Sequence, residues 1–413
     1  MLIEFTVENY KSFKDKTTLS MVASSDKTSL PQNVIEPTGN FKHRLLKSAV
    51  IYGANASGKS NFIKAMEFMK NFVWDSIKGD DRSIIDVEPF LFDSESANKP
   101  TMFEVDFISN DNNVRYIYGF TADRKKIHEE WLYSFPKGKQ VLLFERFLDE
   151  AGEQQYKFNR SLSSTKDLVK KTRHNSLFLT VATAFNVEAV GWASKWINSE
   201  LFHLIHAGGY TTSSMLNYGG TTERLQVIEL LQKADLGISD IEVYKKSDDD
   251  FDYDFDIVFI RKIRNQLGKE TSIRLSFENE SDGTQKFYRL AGDILILLEG
   301  SFTVFSDELD LRLHPMLVEW ILGLFNNSQL SNPGVQLIFT THNTEIMNPK
   351  LFRRDQIWFS EKDHTSGASE LFPLTDYKAR KGENYKKNYL EGRYGAIPIL
   401  EKFDFPIRSE GKS

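Results

Sequence analysis

Residues 46–64, LKSAVIYGANASGKSNFIK, constrain this chain more than any other segment. Residues 49–52 are an apolar run ending in an aromatic, which predicts a buried strand. Gly53-Ala54-Asn55-Ala56-Ser57-Gly58-Lys59-Ser60 follows and matches the phosphate-loop pattern GxxxxGK[ST]. Asn61 then opens a helix over 61–69, with apolar positions at Phe62, Met66 and Met69. Gly53 and Gly58 let backbone N–H groups curl around a phosphate, and the helix start adds the positive end of its dipole. Lys59 can reach the β- and γ-phosphates of a nucleotide, and the Ser60 hydroxyl can sit on Mg²⁺.

A chain of 413 residues allows about two or three domains. A hydrophobic content of 40% with 27% charged residues suits an ordinary globular core. Cysteine is absent, which excludes disulfides and Cys-ligated zinc. No apolar stretch approaches the ~20 residues of a membrane span. The start, MLIEFTVENYKSF, lacks the basic and apolar regions of a signal peptide. A cytoplasmic protein without membrane association is therefore expected. The net charge of −6 gives no global attraction for nucleic acid, though a local basic face stays open.

Along the chain, alternation predicts strands over 2–8 and 17–22, with a polar loop over 24–41. Four further strand patterns, over 101–108, 114–121, 127–134 and 140–147, read as an antiparallel sheet. Asn110-Asp111-Asn112-Asn113 makes the first turn between them. Helical patterns over 167–171, 177–185, 187–204 and 223–233, with a Gly/Thr/Ser-rich loop over 208–222, predict a compact helical insertion. No heptad repeat is sustained. Strands return over 241–244, 255–260 and 272–277. The acidic run 248–254 between them reads as a solvated loop, with metal binding as the other reading. A helix over 281–298, a strand over 302–305, a helix over 314–327 and strands over 335–339 and 356–359 complete the pattern. The expected organisation is 1–158, the insertion 159–235, and 236–413.

Three pieces besides the phosphate loop carry chemistry. Ser281-Asp282-Gly283 opens a helix and can donate hydrogen bonds to an anion, or serve as a plain N-cap. Val304-Phe305-Ser306-Asp307-Glu308 ends a buried strand in two acids. Asp307 there can hold Mg²⁺, and Glu308 can orient and deprotonate a water. His342, at the end of the next strand, can hydrogen-bond a γ-phosphate.

In this order the set resembles the ATP-binding-cassette heads of the SMC/RecF-like class. Gly53–Ser60 matches Walker A, Ser281-Asp282-Gly283 the signature, Val304–Glu308 Walker B, Leu309-Asp310-Leu311 the D-loop and His342 the switch histidine. The chain looks more closely like the stand-alone AAA-type ATPases of prokaryotic anti-phage and abortive-infection systems. It is similar to the RloA, AbiL and PARIS AriA ATPases and, more distantly, to OLD-family ATPases. Asn9-Tyr10-Lys11-Ser12-Phe13, SDGTQ, Asp307-Glu308-Leu309-Asp310 with His314-Pro315, Thr341-His342-Asn343 and the late GRYGAIP carry that likeness. It covers about 1–108 and 278–398. The signature lacks the leading Leu of the LSGGQ form, and Glu88-Pro89-Phe90 stands roughly where a Q-loop glutamine belongs.

The resemblance implies an α/β fold: a P-loop NTPase head of the ABC type, with a mixed sheet, flanking helices and an antiparallel β subdomain. It implies ATP and Mg²⁺ as ligands. Ser281, Asp282 and Gly283 would cover the ATP of a second copy in a homodimer or higher oligomer. Lys59 would cradle phosphate, Ser60 and Asp307 hold the metal, Glu308 act as base, Asp310 couple the sites and His342 sense the γ-phosphate. With no nuclease pattern in the chain, a separate effector is implied, TOPRIM-like or RloB-like. The alternative is a RecF-like repair ATPase that contacts DNA through Lys378, Arg380, Lys381, Lys386, Lys387, Arg353 and Arg354.

Overall fold

The computed structural model describes residues 1–204, 209–246, 255–264, 268–377, 379–380 and 382–398. Two sheets organise it. The first has seven antiparallel strands in the order Gln154–Phe158, Val141–Leu148, Ile127–Phe135, Arg115–Ala122, Thr101–Ile108, Leu2–Glu8 and Thr17–Ser20. The four expected mid-chain strands, together with an unexpected fifth at the edge, Gln154–Phe158, thus join the N-terminal pair in one antiparallel sheet. Every second residue of Leu2–Glu8 is apolar, and Phe5 and Val7 are buried against the phosphate-loop helix.

The second sheet has six strands, ordered Leu201–His203, Thr303–Ser306, Gln336–Thr340, Ser48–Tyr52, Ile357–Lys362 and Ser369–Pro373. The first five run parallel, and the last turns back antiparallel. Buried on both faces, the central strands read as continuous apolar runs (VFS, LIFT, AVIY) rather than alternating ones. A third, three-stranded sheet holds Asp240–Lys245, Phe255–Arg264 and Glu270–Ser276.

The helix Lys59–Asp75 lies between the two large sheets and buries Phe62, Ile63, Ala65, Met66, Met69 and Val73. Each such large side chain removes apolar surface worth roughly 1.5–3 kcal/mol. Helices Asp282–Glu299 and Pro315–Asn326 pack on the parallel sheet in a second core. His314 caps the latter, its Nδ1 accepting the Met316 N–H at 3.3 Å.

Three local expectations fail. The helix expected over 187–204 stops at Lys195, passes through a π turn over Trp196–Glu200, and gives way to the edge strand Leu201–His203. The stretch expected as loop over 208–222 contains the helix Tyr210–Asn217. It crosses Asp282–Glu299 at Gly292, where an added Cβ would fall 2.6 Å from the Thr212 nitrogen. Thr212 Oγ1 there accepts from Gly292 N at 2.8 Å and donates to Tyr288 O at 2.7 Å. The strand near 356–359 is followed by another, Ser369–Pro373. The acidic run 248–254 lies outside the described residues. Among those described, no helix is long and apolar enough to cross a membrane.

Candidate functional site

The parallel sheet brings its carboxyl ends to one rim. Gly53 to Gly58 leave the strand Ser48–Tyr52 there and run into the helix Lys59–Asp75. Gly58 has φ +113°, and a Cβ on it would lie 2.5 Å from Ser369 Oγ. A Cβ on Gly53 would lie 2.3 Å from the Ser360 carbonyl. Both positions therefore require glycine. Asn55 and Ala56 are exposed at the mouth of the loop, with Ala56 at φ +61° and Ala54 half-buried. Ser57 is buried; its carbonyl accepts from Ser360 Oγ at 2.9 Å, and its own Oγ has no hydrogen-bond partner among the described residues.

Lys59 is buried and folds back, its Nζ donating to the carbonyls of Gly53 and Ala54, each at 2.9 Å. Burial lowers its pKa to about 8, against the opposing pull of Asp307 and Glu308. Ser60 is half-buried. Asn61 Nδ2 donates to Ser12 Oγ at 2.8 Å, beside Gly58 of the loop.

Asp307 and Glu308 leave Thr303–Ser306 two strands away, with Gln336–Thr340 between that strand and the phosphate-loop strand. Thr340 ties the acids together: its Oγ1 donates to Asp307 Oδ1 at 2.5 Å and accepts from Glu308 N at 2.7 Å. Glu308 sits at φ +46°, a left-handed conformation that turns its carboxylate toward the rim. His342 Nε2 lies 3.7 Å from Glu308 Oε1. Partial burial and the Lys59 charge lower the His342 pKa, outweighing the nearby acids, so the imidazole is neutral at neutral pH. The fold thus gathers Lys59, Asp307, Glu308 and His342 at one place.

Ser281, Asp282 and Gly283 open the helix Asp282–Glu299 elsewhere on the chain. Ser281 Oγ accepts from Thr284 N at 3.2 Å as an N-cap, and Asp282 pairs with Arg312 at 3.5 Å. An added Cβ at Gly283 would stand 3.0 Å from the Arg312 carbonyl. Among the described residues, the hydrogen bonds and ion pairs of Ser281 and Asp282 run to these neighbours and not to the phosphate loop. One turn on, Lys286 is buried and donates to the carbonyls of Glu308, Leu309 and Leu311. Burial lowers its pKa to about 8. Asp310 Oδ1, in the same stretch, is buried without a hydrogen-bond partner among the described residues.

Several residues here carry no motif signal. Thr340, Ser360, Ser369 and Lys286 gain their contacts only through tertiary pairing. His203 is another: it ends the edge strand beside Thr303–Ser306, stacks on Phe305 at 4.6 Å and meets Glu67 at 3.3 Å. Glu88-Pro89-Phe90 is fixed instead to the N-terminal turn, through Lys11 N to Glu88 O at 2.8 Å and a Lys11–Glu88 pair at 2.6 Å. The late GRYGAIP backs the rim: Ala396 N donates to Glu361 Oε1 at 2.9 Å and the Tyr394 ring lies 5.7 Å from that of Phe359.

The cations expected to meet DNA are differently placed. Arg353 is buried, paired with Asp355 at 2.8 Å and donating to Ser29 O, so it offers nothing to a phosphate. Arg354 donates to Ala379 O, and Lys386 and Lys387 pair with Glu345 and Glu391. Arg380 is exposed, while Lys378 and Lys381 lie outside the described residues.

The residues fit a nucleotide with Mg²⁺. The loop offers an ammonium and a glycine-shaped cradle. Ser60 and Asp307 offer oxygen donors only, the kind Mg²⁺ takes alongside phosphate and water. Among the described residues no three His, Asp or Glu side chains form a metal site of their own.

A strand–phosphate loop–helix unit on a parallel sheet, with paired acids two strands away, defines a P-loop NTPase fold. The chain belongs to the AAA-domain family described as "putative AbiEii toxin, Type IV TA system", whose model matches residues 48–348. Among solved structures it is similar to the SMC head domain from Thermotoga maritima, at 15% identity and a TM-score of 0.39, over 90% of this chain and 98% of that one. It is also similar to an SMC head solved bound to the C-winged helix domain of ScpA, at 14% identity and a TM-score of 0.41, over 92% and 99%. No curated protein matches it.

Proposed function

We propose that this chain is an ATP-hydrolysing switch that acts in anti-phage defence by controlling a separate effector, a nuclease or a toxin. The observation that carries the catalytic part is the shared Thr340 hydroxyl, which fixes Asp307 and Glu308 beside Lys59 and His342. Lys59 releases the Gly53 and Ala54 carbonyls and engages the β- and γ-phosphates of ATP. Ser60 and Asp307 hold Mg²⁺, which when bound neutralises charge on the β- and γ-phosphate oxygens. Glu308 takes a proton from a water whose oxygen attacks the γ-phosphorus, and the bond to the β-phosphate oxygen breaks, leaving ADP and phosphate. Neutral His342 orients the γ-phosphate.

Ser281 and Gly283 close over the ATP of a second copy, and Asp310 couples the two sites. The chain's own signature keeps its polar groups on local partners, which supports action in trans. Hydrolysis opens the pair and changes what the effector meets. The family's description as a toxin of a toxin–antitoxin type supports a role in a gated growth-arrest or defence system.

Glu308→Gln should abolish turnover and trap an ATP-bound assembly, read by phosphate release and by light scattering after gel filtration. Undiminished turnover would remove Glu308 as the base. Lys59→Ala should abolish protection of cells against phage, and full protection in that variant would end the switch reading.

A further inference from the structure

On the flank of the phosphate loop away from Asp307 stands an exposed aromatic. The phosphate-loop strand has Gln336–Thr340 on one side and Ile357–Lys362 on the other, all parallel, so their carboxyl ends share the rim. Asp307, Glu308 and His342 hold one flank. The turn over 363–368 holds the other, fastened by Ser360 Oγ on Ser57 O at 2.9 Å and by Ser369 N on Ser12 O at 2.7 Å. Phe92 rests on this turn. A Cβ built at Gly367 would lie 3.3 Å from two of its ring carbons, and the Lys362 ammonium lies 5.1 Å from the ring centroid. Phe92 is nonetheless 71% exposed.

The ring is exposed but anchored. Asn9 Oδ1 accepts from Phe90 N at 3.2 Å, and Asn9 Nδ2 donates to Ser96 O at 2.8 Å. Asp93, next to Phe92, pairs with Lys14 at 3.1 Å. The same N-terminal turn reaches the phosphate-loop helix through Asn61 and Ser12. Phe92 is therefore fixed relative to the loop, held by Gly367, Lys362 and Phe90 (ring centroids 5.7 Å apart), with most of its surface open to solvent. Such a face is a stacking platform that any nucleobase can use.

We propose that Phe92, backed by Gly367 and flanked by Lys362, is the platform on which the base of the bound nucleotide stacks. The inference rests on the phosphate loop being a nucleotide site. Lys59 and the acidic flank fix the γ end of the triphosphate, so the ribose and base leave toward the turn that carries Phe92.

The test is calorimetric titration of the full chain with ATP and with inorganic tripolyphosphate, which has no base. Phe92→Ala should weaken ATP by about five- to a hundredfold, the range for losing one base–aromatic stack, and leave tripolyphosphate unchanged. Phe92→Trp should restore ATP binding, and Lys59→Ala should weaken both ligands. ATP binding unchanged in Phe92→Ala, or an equal loss of both ligands, overturns the platform while the phosphate-loop reading stands. Wild-type protein that binds neither ligand overturns both.

Discussion

Lys59 sits under two opposed demands. In the role proposed for it Lys59 must be charged to hold phosphate, yet it is buried against carbonyls that give it only part of the solvation it has lost. In the free loop the balance sets its pKa at about 8. A triphosphate beside the ammonium favours the charged form and returns the pKa toward its ordinary value of about 10.4. The sign follows: above about pH 8 the free lysine has lost protons that the complex must recover, so binding takes up a proton. Calorimetry in buffers of different ionisation enthalpy should show uptake rising from near zero at about pH 7 toward a maximum of about one proton near pH 9. Uptake should vanish in Lys59→Met, and a flat profile in the wild type would contradict the account. The pattern GxxxxGK[ST] made Lys59 legible at once. Lys286 has the same depressed value and three carbonyl partners, yet it was invisible, because its partners lie more than twenty residues away and meet it only across a helix–loop contact.

The helix Asp282–Glu299 carries Ser281 and Gly283 at its start, Lys286 in its second turn and Gly292 where Tyr210–Asn217 crosses. At that crossing the Thr212 backbone occupies the space a side chain would need. Gly292→Ala should therefore push the helices apart and cost about 1–3 kcal/mol in thermal unfolding. Gly323→Ala, on an open face of Pro315–Asn326, should be neutral or stabilise by up to about 1 kcal/mol. Equal effects at both sites would show that the crossing is not tight. Elements with strong periodicity were readable: the strands of both large sheets apart from the edge strands Gln154–Phe158, Leu201–His203 and Ser369–Pro373, and the helices that begin at Lys59, Asp282 and Pro315. Tyr210–Asn217 was not, because YTTSSMLN holds β-branched and polar residues that disfavour a helix; the Thr212 hydroxyl, donating to the Tyr288 carbonyl and accepting from Gly292 N, holds it instead. Leu201–His203 escaped because three residues carry no period, and only the neighbouring strand makes them a strand.

Across the whole molecule, the seven-stranded sheet and the helical segment are joined by buried charge. Glu130 and Arg146, both fully buried, pair at 3.5 Å. Glu130 accepts from the N–H groups of Phe178 and Leu179 at 2.7 and 2.9 Å, and Arg146 donates to the Ser176 carbonyl at 2.6 Å. Arg146→Met leaves the buried Glu130 carboxylate without a countercharge and should cost about 3–5 kcal/mol in denaturant unfolding. Adding Glu130→Gln should recover part of that loss, and additive losses would show the two do not act as a pair. Gln336 makes a similar join between the chain's ends: it accepts from Leu2 N at 2.6 Å and donates to the carbonyls of Leu2 and Leu46 at 3.1 and 3.0 Å. Its strand also separates the Lys59 loop from Asp307 and Glu308, so these groups come together only after roughly 250 residues of chain have emerged between them. A chain cut short before Asp307 keeps the phosphate-loop lysine but lacks both acids of the pair and the strand that sets them beside it.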